Sequence, residues 1–295
     1  MPHEHDEPDF RSLSEAPRMT RFLPGTAIEV VRPTIRRQGF GYALFDFDGT
    51  LSLIRAGWQD VMIPMMVEVL AENAPHEPAD RLQSLVRDFV TELTGKQTIY
   101  QMIRLAEEVR KRGGRPLEPQ AYKSEYIRRL MLRIGDRREG LRTGRYQPTD
   151  WLVPGSLDLL DALRQRGVEL YLASGTDQPA VREEAALLGL DRYFGPRIFG
   201  ALEDYRRFSK AKVIQDALRE HGVPGERLLG FGDGYVEIIN VKEVGGTAVA
   251  VASDETRRDG RPDDWKRNRL IAAGADLVIP DYHQARELID YLWGE

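Results

Sequence analysis

Two aspartates, Asp46 and Asp48, stand two residues apart at the end of an apolar run, Tyr42, Ala43, Leu44 and Phe45, and are followed by Gly49 and Thr50. Side chains alternate along a strand, so Tyr42, Leu44, Asp46 and Asp48 share one face. Two carboxylates this close repel each other unless a cation or a proton intervenes. A hard cation answers that need: Mg²⁺ takes one or two carboxylates together with water and a substrate phosphate. A capped strand end with two solvated acids is the other reading of the pair. Two later stretches end in residues of similar use: Ser174, Gly175 and Thr176, and Gly232, Asp233 and Gly234. Amides after Ser174, near a helix start, suit phosphate oxygens. Phosphoryl transfer also calls for a cation. Lys210, after Phe208 and Ser209, is the first choice for it and Lys212 the next. Taken singly, Ser174 is more often a helix N-cap and Lys210 usually a solvated surface residue.

The surrounding elements must bring these residues together. Residues 27–31 and 39–45 read as strands interrupted by Arg32 and Pro33, the first of them a hairpin or edge addition to the main sheet. After Thr50 the apolar period changes. Trp58, Val61, Met62, Met65, Met66, Val69 and Leu70 recur at helical spacing, and three more such stripes follow over 82–93, 99–109 and 122–134. Pro64 is expected to kink or delay the first helix. The stripes read as helix–helix core in preference to a partner groove.

From Asp150 on, strands at 168–174, 197–200, 227–232, 247–251 and 276–279 alternate with helices at 157–166, 179–188, 210–220 and 285–293. Repeated βα units with apolar strands mean an α/β fold with a doubly wound parallel sheet, which binds ligands outside the carboxyl ends of its strands. The expected organisation is a core of residues 25–55 and 149–295, an all-helical insert of residues 56–148, and an acidic, mobile tail of residues 1–24 that includes His3 and His5.

The 295 residues are 41% hydrophobic and 30% charged, with a net charge of −5 and no cysteine. A soluble globular protein is expected, with neither nucleic acid nor a membrane as its partner. Thiolate metal sites, disulfides and Cys nucleophiles are excluded, and a cytoplasmic setting fits. The acidic N-terminal residues lack the apolar core of a signal peptide. The composition leaves the oligomeric state open.

Asp46, Phe47, Asp48, Gly49 and Thr50 resemble D-x-D-G-T, the first motif of the haloacid dehalogenase (HAD) superfamily. Tyr171, Leu172, Ala173 and Ser174 are similar to its second motif, Lys210 to the lone lysine of the third, and Gly232, Asp233 through Glu237 to the fourth, G-D-x-x-x-D, with Glu237 in place of the last Asp. The resemblance implies an Asp46 nucleophile that forms an aspartyl-phosphate, and Asp48 as general acid and base. It implies Ser174, Gly175 and Thr176 around the phosphoryl oxygens, with Lys210 against their charge. Mg²⁺ would be bound by Asp46, Asp48 through its backbone carbonyl, and Asp233, with Glu237 behind them. The insert would be a C1-type cap that selects the substrate, with Lys96 in a loop between two helical stripes and Arg55 and Trp58 near the hinge as candidate contacts. A plain helix–helix turn is the equal alternative for that loop. The expected activity is Mg²⁺-dependent hydrolysis of the phosphate monoester of a small metabolite. A phosphomutase acting on a sugar phosphate and a non-catalytic phosphometabolite-binding protein of the same fold are the alternatives. A dinucleotide site at Gly230 to Gly234 fails, because Asp233 would face the pyrophosphate.

Overall fold

The computed structural model describes residues 7–12, 19–222 and 224–295. In chain order the elements begin with β1 (Arg21–Phe22), β2 (Glu29–Val30) and β3 (Tyr42–Phe45). The insert follows as α1 (Gln59–Asn73), α2 (Ala79–Glu92), α3 (Thr98–Lys111) and α4 (Pro119–Arg142). The chain then runs through α5 (Ser156–Gln165), β4 (Glu169–Asp177), α6 (Gln178–Leu187), α7 (Asp191–Phe194), β5 (Ile198–Ala201) and α8 (Lys210–His221). It closes with β6 (Leu228–Gly232), α9 (Tyr235–Glu243), β7 (Thr247–Val251), α10 (Asp264–Ala272), β8 (Leu277–Ile279) and α11 (Ala285–Trp293).

One sheet has the order β1-β2-β8-β7-β6-β3-β4-β5. β8 to β5 are parallel, whereas β2 adds antiparallel to the edge at β8 and β1 to β2. The chain leaves β3 for β4 on one side and returns to β6 on the other, which makes the carboxyl end of β3 a topological switch point. All four residues of β3 are buried, as a central strand covered on both faces requires. The rings of Phe45 and Phe231 stack there at 4.5 Å.

The insert is a four-helix unit whose stripes face inward: Met62, Met66 and Leu70, then Val86 and Phe89, Met102 and Leu105, and Leu130 and Ile134 are all buried. Pro64 lies inside α1 without delaying it. The carbonyl that a proline at this position leaves unpaired belongs to Asp60, an exposed residue of the first turn that water can reach.

The structure differs from the sequence reading at four places. β4 runs past Ser174 to Asp177, so Asp177 is the N-cap of α6. α10 has no counterpart among the helices expected from the sequence. Its run of charged residues buries only Leu270 and Ile271, too few for a periodic signal, and its N-cap is Asp263, which accepts from the Lys266 amide at 2.8 Å. α7 is a single turn. The expected tail contains β1, and residues 7–12 pack at the junction of insert and core. His3 and His5 lie outside the described residues. Among the described residues no helix is long and apolar enough to cross a membrane.

Candidate active site

Asp46 follows β3 directly, and its amide donates to the carbonyl of Phe231 on β6 at 2.9 Å. Its Oδ1 accepts from Lys210 Nζ at 3.0 Å. Lys210 opens α8 behind the N-cap Ser209, whose hydroxyl accepts from the Lys212 amide at 3.1 Å. The Lys210 ammonium is 1% exposed and also pairs with Glu237, in the first turn of α9. Such carboxylate partners offset the cost of burying a lysine. Lys212 turns outward to Asp216 at 2.8 Å, so of the two candidate lysines only Lys210 reaches the cavity.

Asp48 stands across the same cavity. Its Oδ2 accepts from the Thr176 hydroxyl at 2.7 Å, while its Oδ1 is buried with no hydrogen-bond partner. Burial pushes the Asp48 carboxyl up to about 7, against the pull of Arg55, whose Nε lies 3.9 Å from Oδ1. The Arg55 guanidinium is itself held in a bidentate pair with Glu184 of α6, both bonds 2.9 Å long. Ser174 is buried, and its Oγ accepts from the Thr176 amide at 3.0 Å. That amide, expected to be free for a ligand, is therefore occupied. The Ser174 O–H remains available to donate.

Asp233, at the end of β6, is fixed from several sides. Its amide donates to Thr50 Oγ1 at 2.9 Å, and its Oδ2 accepts from Lys266 Nζ at 2.7 Å. Lys266 reaches in from α10 and also meets Glu255 at 2.9 Å. Burial opposes its charge, but Asp233 and Glu255 outweigh it and hold the Lys266 pKa above its usual range. The Asp233 pKa is raised by burial, with Asp46 adding to the effect and Lys266 opposing it. Gly49 has φ +75°, and a Cβ there would stand 2.1 Å from Asp233 Oδ2, so no other residue fits this turn.

Asp46, Asp48, Ser174, Lys210 and Asp233 line one cavity of about 100 Å³. The insert closes it with residues 94–96, 98 and 101 and with Tyr126. Gly95 approaches so closely that a Cβ there would stand 3.3 Å from Gly234 Cα. Gln97 Nε2 donates to the Phe208 carbonyl at 3.0 Å. Lys96 lines the cavity, but its ammonium is bound to Asp9 at 2.6 Å.

The haloacid dehalogenase-like hydrolase model matches residues 42–245, which span Asp46, Asp48, Ser174, Lys210 and Asp233 and leave Glu255 and Lys266 beyond the match. The chain belongs to this family. No curated protein matches it. Among solved structures, a β-phosphoglucomutase from Clostridium difficile is similar at 15% identity, covering 87% of this chain and 98% of its own with a TM-score of 0.57. A predicted phosphoglycolate phosphatase from Haemophilus somnus 129pt is similar at 17% identity, covering 84% and 97% with a TM-score of 0.53. A HAD family hydrolase from Deinococcus radiodurans R1 with bound phosphate and sodium is similar at 19% identity, covering 86% and 96% with a TM-score of 0.51. At these identities the likeness is one of fold: a Rossmann-like HAD core with a cap.

HAD hydrolases generally use Mg²⁺, and the donors of this HAD hydrolase fit such an ion. Asp46 and Asp233 bring carboxylate oxygens to one cavity, close enough for Asp46 to raise the proton affinity of Asp233. All are hard oxygen donors, and a set of two carboxylates and the Asp48 carbonyl leaves room for water. Among the described residues no group of three His, Cys, Asp or Glu is placed to hold a metal, so this set has only two acidic side chains. Lys266, Glu255, Glu184 and Tyr126 are the residues of this site that the sequence did not reveal. Only ion pairs across the fold mark the first three, Lys266 with Asp233 and Glu255, and Glu184 with Arg55.

Proposed function

We propose that this HAD-like hydrolase cleaves the phosphate monoester of a small metabolite through an aspartyl-phosphate on Asp46. The observation that carries the reading is the contrast between two aspartates of one cavity. Asp46 is paired with the Lys210 ammonium at 3.0 Å, whereas Asp48 has no such lysine and is pushed by burial up to about 7, so that it can carry a proton at neutral pH.

In the first step the free Asp46 oxygen attacks phosphorus, the bond from phosphorus to the ester oxygen breaks, and Asp48 gives its proton to the departing alkoxide. In the second, Asp48 takes a proton from water as that water attacks phosphorus. The bond between phosphorus and Asp46 breaks, releasing inorganic phosphate and the Asp46 carboxylate. One group acting first as acid and then as base accelerates both halves. The Ser174 hydroxyl and the Gly175 amide orient the phosphoryl oxygens, and Lys210 balances their charge. Asp46, the Asp48 carbonyl and Asp233 would hold Mg²⁺, which supplies charge neutralisation to the phosphoryl group when bound. The cap loop excludes bulk water from the reacting atoms.

The test is hydrolysis of an aryl phosphate with and without Mg²⁺, followed by an acid quench and peptide mass analysis. Parent protein should release phosphate and yield a phosphorylated Asp46 peptide. Asp46→Asn should do neither while melting at the parent temperature, because its amide has the same shape but is not a nucleophile. Substantial Mg²⁺-dependent release by Asp46→Asn sinks the assignment. With a sugar phosphate as substrate, product analysis separates hydrolysis, which releases inorganic phosphate, from a phosphomutase, which would return an isomeric phosphate ester.

A further inference from the structure

Residues 7–11 precede the family match at residue 42, yet they lie across the seam between cap and core. Two of them hold the cap loop. Glu7 is 3% exposed, and its Oε2 accepts from the Gln97 amide at 2.7 Å. Asp9 Oδ1 accepts from Lys96 Nζ at 2.6 Å. The next two hold the core. The Phe10 ring stands edge-on to Tyr235 at 5.5 Å, with the Arg269 guanidinium 4.3 Å from its centre. Arg11 pairs with Glu243, at the far end of the same α9.

The cap-side contacts answer a local need. α3 has no acid in its first turn, and its N-cap, Gln97, makes no side-chain capping bond. A helix start attracts negative charge and offers amides without partners. Glu7 brings a carboxylate there from 90 residues away in sequence. The docking also carries a cost. Glu7 Oε1 is buried without a partner, and burial pushes the carboxyl up to about 7 although Lys210, the Gln97 amide and Lys96 act against that.

We propose that residues 7–11 form an intramolecular strap that ties the loop of residues 94–97 to α9 and α10, so that the cap must shed this strap before the catalytic cavity opens. The proposal rests on the helical insert acting as a moving cap over the cavity. The loop it holds is the one that closes the cavity through Gly95 and Lys96. The strap therefore controls entry and release for any substrate of this site.

The deciding experiment is hydrogen–deuterium exchange on the full chain, without substrate. Phe10→Ala with Arg11→Ala leaves both cap-side bonds intact and removes only the hold on the core. A strap freed at either end cannot restrain the loop, so the Gln97 amide should exchange about tenfold faster, while the amides of Ala43 and Leu44 in β3 stay as in the parent. Glu7→Ala with Asp9→Ala should speed the loop by at least as much. If the first variant changes Gln97 exchange by less than about twofold, Glu7 is only a local cap on α3 and the proposal fails. Equal acceleration in β3 also overturns it, by making the segment a support of the whole fold. Exchange is read without catalysis, so a failed strap leaves the phosphatase reading standing, and a failed aryl phosphate assay leaves the strap standing.

Discussion

Glu184→Gln isolates the electrostatics of Asp48, the proposed acid. Glu184 is 0% exposed on α6 and takes two donors of Arg55 at 2.9 Å. Without its charge, the nearest remaining carboxylate for that guanidinium is Asp48, now 3.9 Å away. At an effective dielectric of ~20, closing that gap to ~2.9 Å is worth about 1.5 kcal/mol, or about one pK unit. Loss of the Glu184 charge, which itself holds the Asp48 pKa up, acts in the same direction. The Asp48 carboxyl should therefore fall from about 7 to ~6 or below. An acid must carry its proton to donate it, so activity is lost as pH rises through that value and is retained below it. At pH 7 the protonated fraction drops from about half to about one tenth, and kcat/KM for an alkyl phosphate should fall ~5-fold. An aryl phosphate, whose leaving group needs little protonation, should change far less. The assay is kcat/KM against pH for both esters at saturating Mg²⁺, with a melting curve as control. The curve matters because weakening a buried ion pair costs up to ~3–5 kcal/mol of stability. An alkaline limb that stays in place or moves upward in Glu184→Gln refutes this account of Asp48.

Thr176→Val should move the same limb the other way. The hydroxyl bond at 2.7 Å stabilises the Asp48 anion, so its loss raises the pKa and also frees the carboxyl to turn, lowering the plateau rate below the limb. A downward shift of the limb would contradict that reading. Glu237→Gln removes one of the two carboxylates around Lys210, and groups that orient such a centre typically cost ~10–100-fold when lost. That loss should persist at saturating Mg²⁺, with little change in the Mg²⁺ requirement. Full recovery in excess Mg²⁺ would make Glu237 a metal ligand.

Sequence by itself determined the parts of this protein that depend on near neighbours in the chain. The alternation in residues 42–48 and the turn at Gly49 are local, so the strand end and its two acids were legible. The helical stripes marked the insert because each helix buries its own periodic face. The βα rhythm implied a parallel sheet, which carries the ends of β3, β4 and β6 to one edge. Tertiary structure alone decided how the charges pair. Lys266 sits in a helix whose charged surroundings look solvated, and only the packing of α10 beside β7 brings its ammonium to Asp233. Glu184 reads as one more polar residue of α6 until Arg55, 129 positions earlier, meets it in the interior. Glu7 belongs to an acidic stretch without pattern, yet it finishes the start of α3. Hydrophobic periodicity reports which side of an element faces inward. It carries no information about which buried ion meets which, because that choice is made by Coulomb energy between groups far apart in sequence, after the elements have docked.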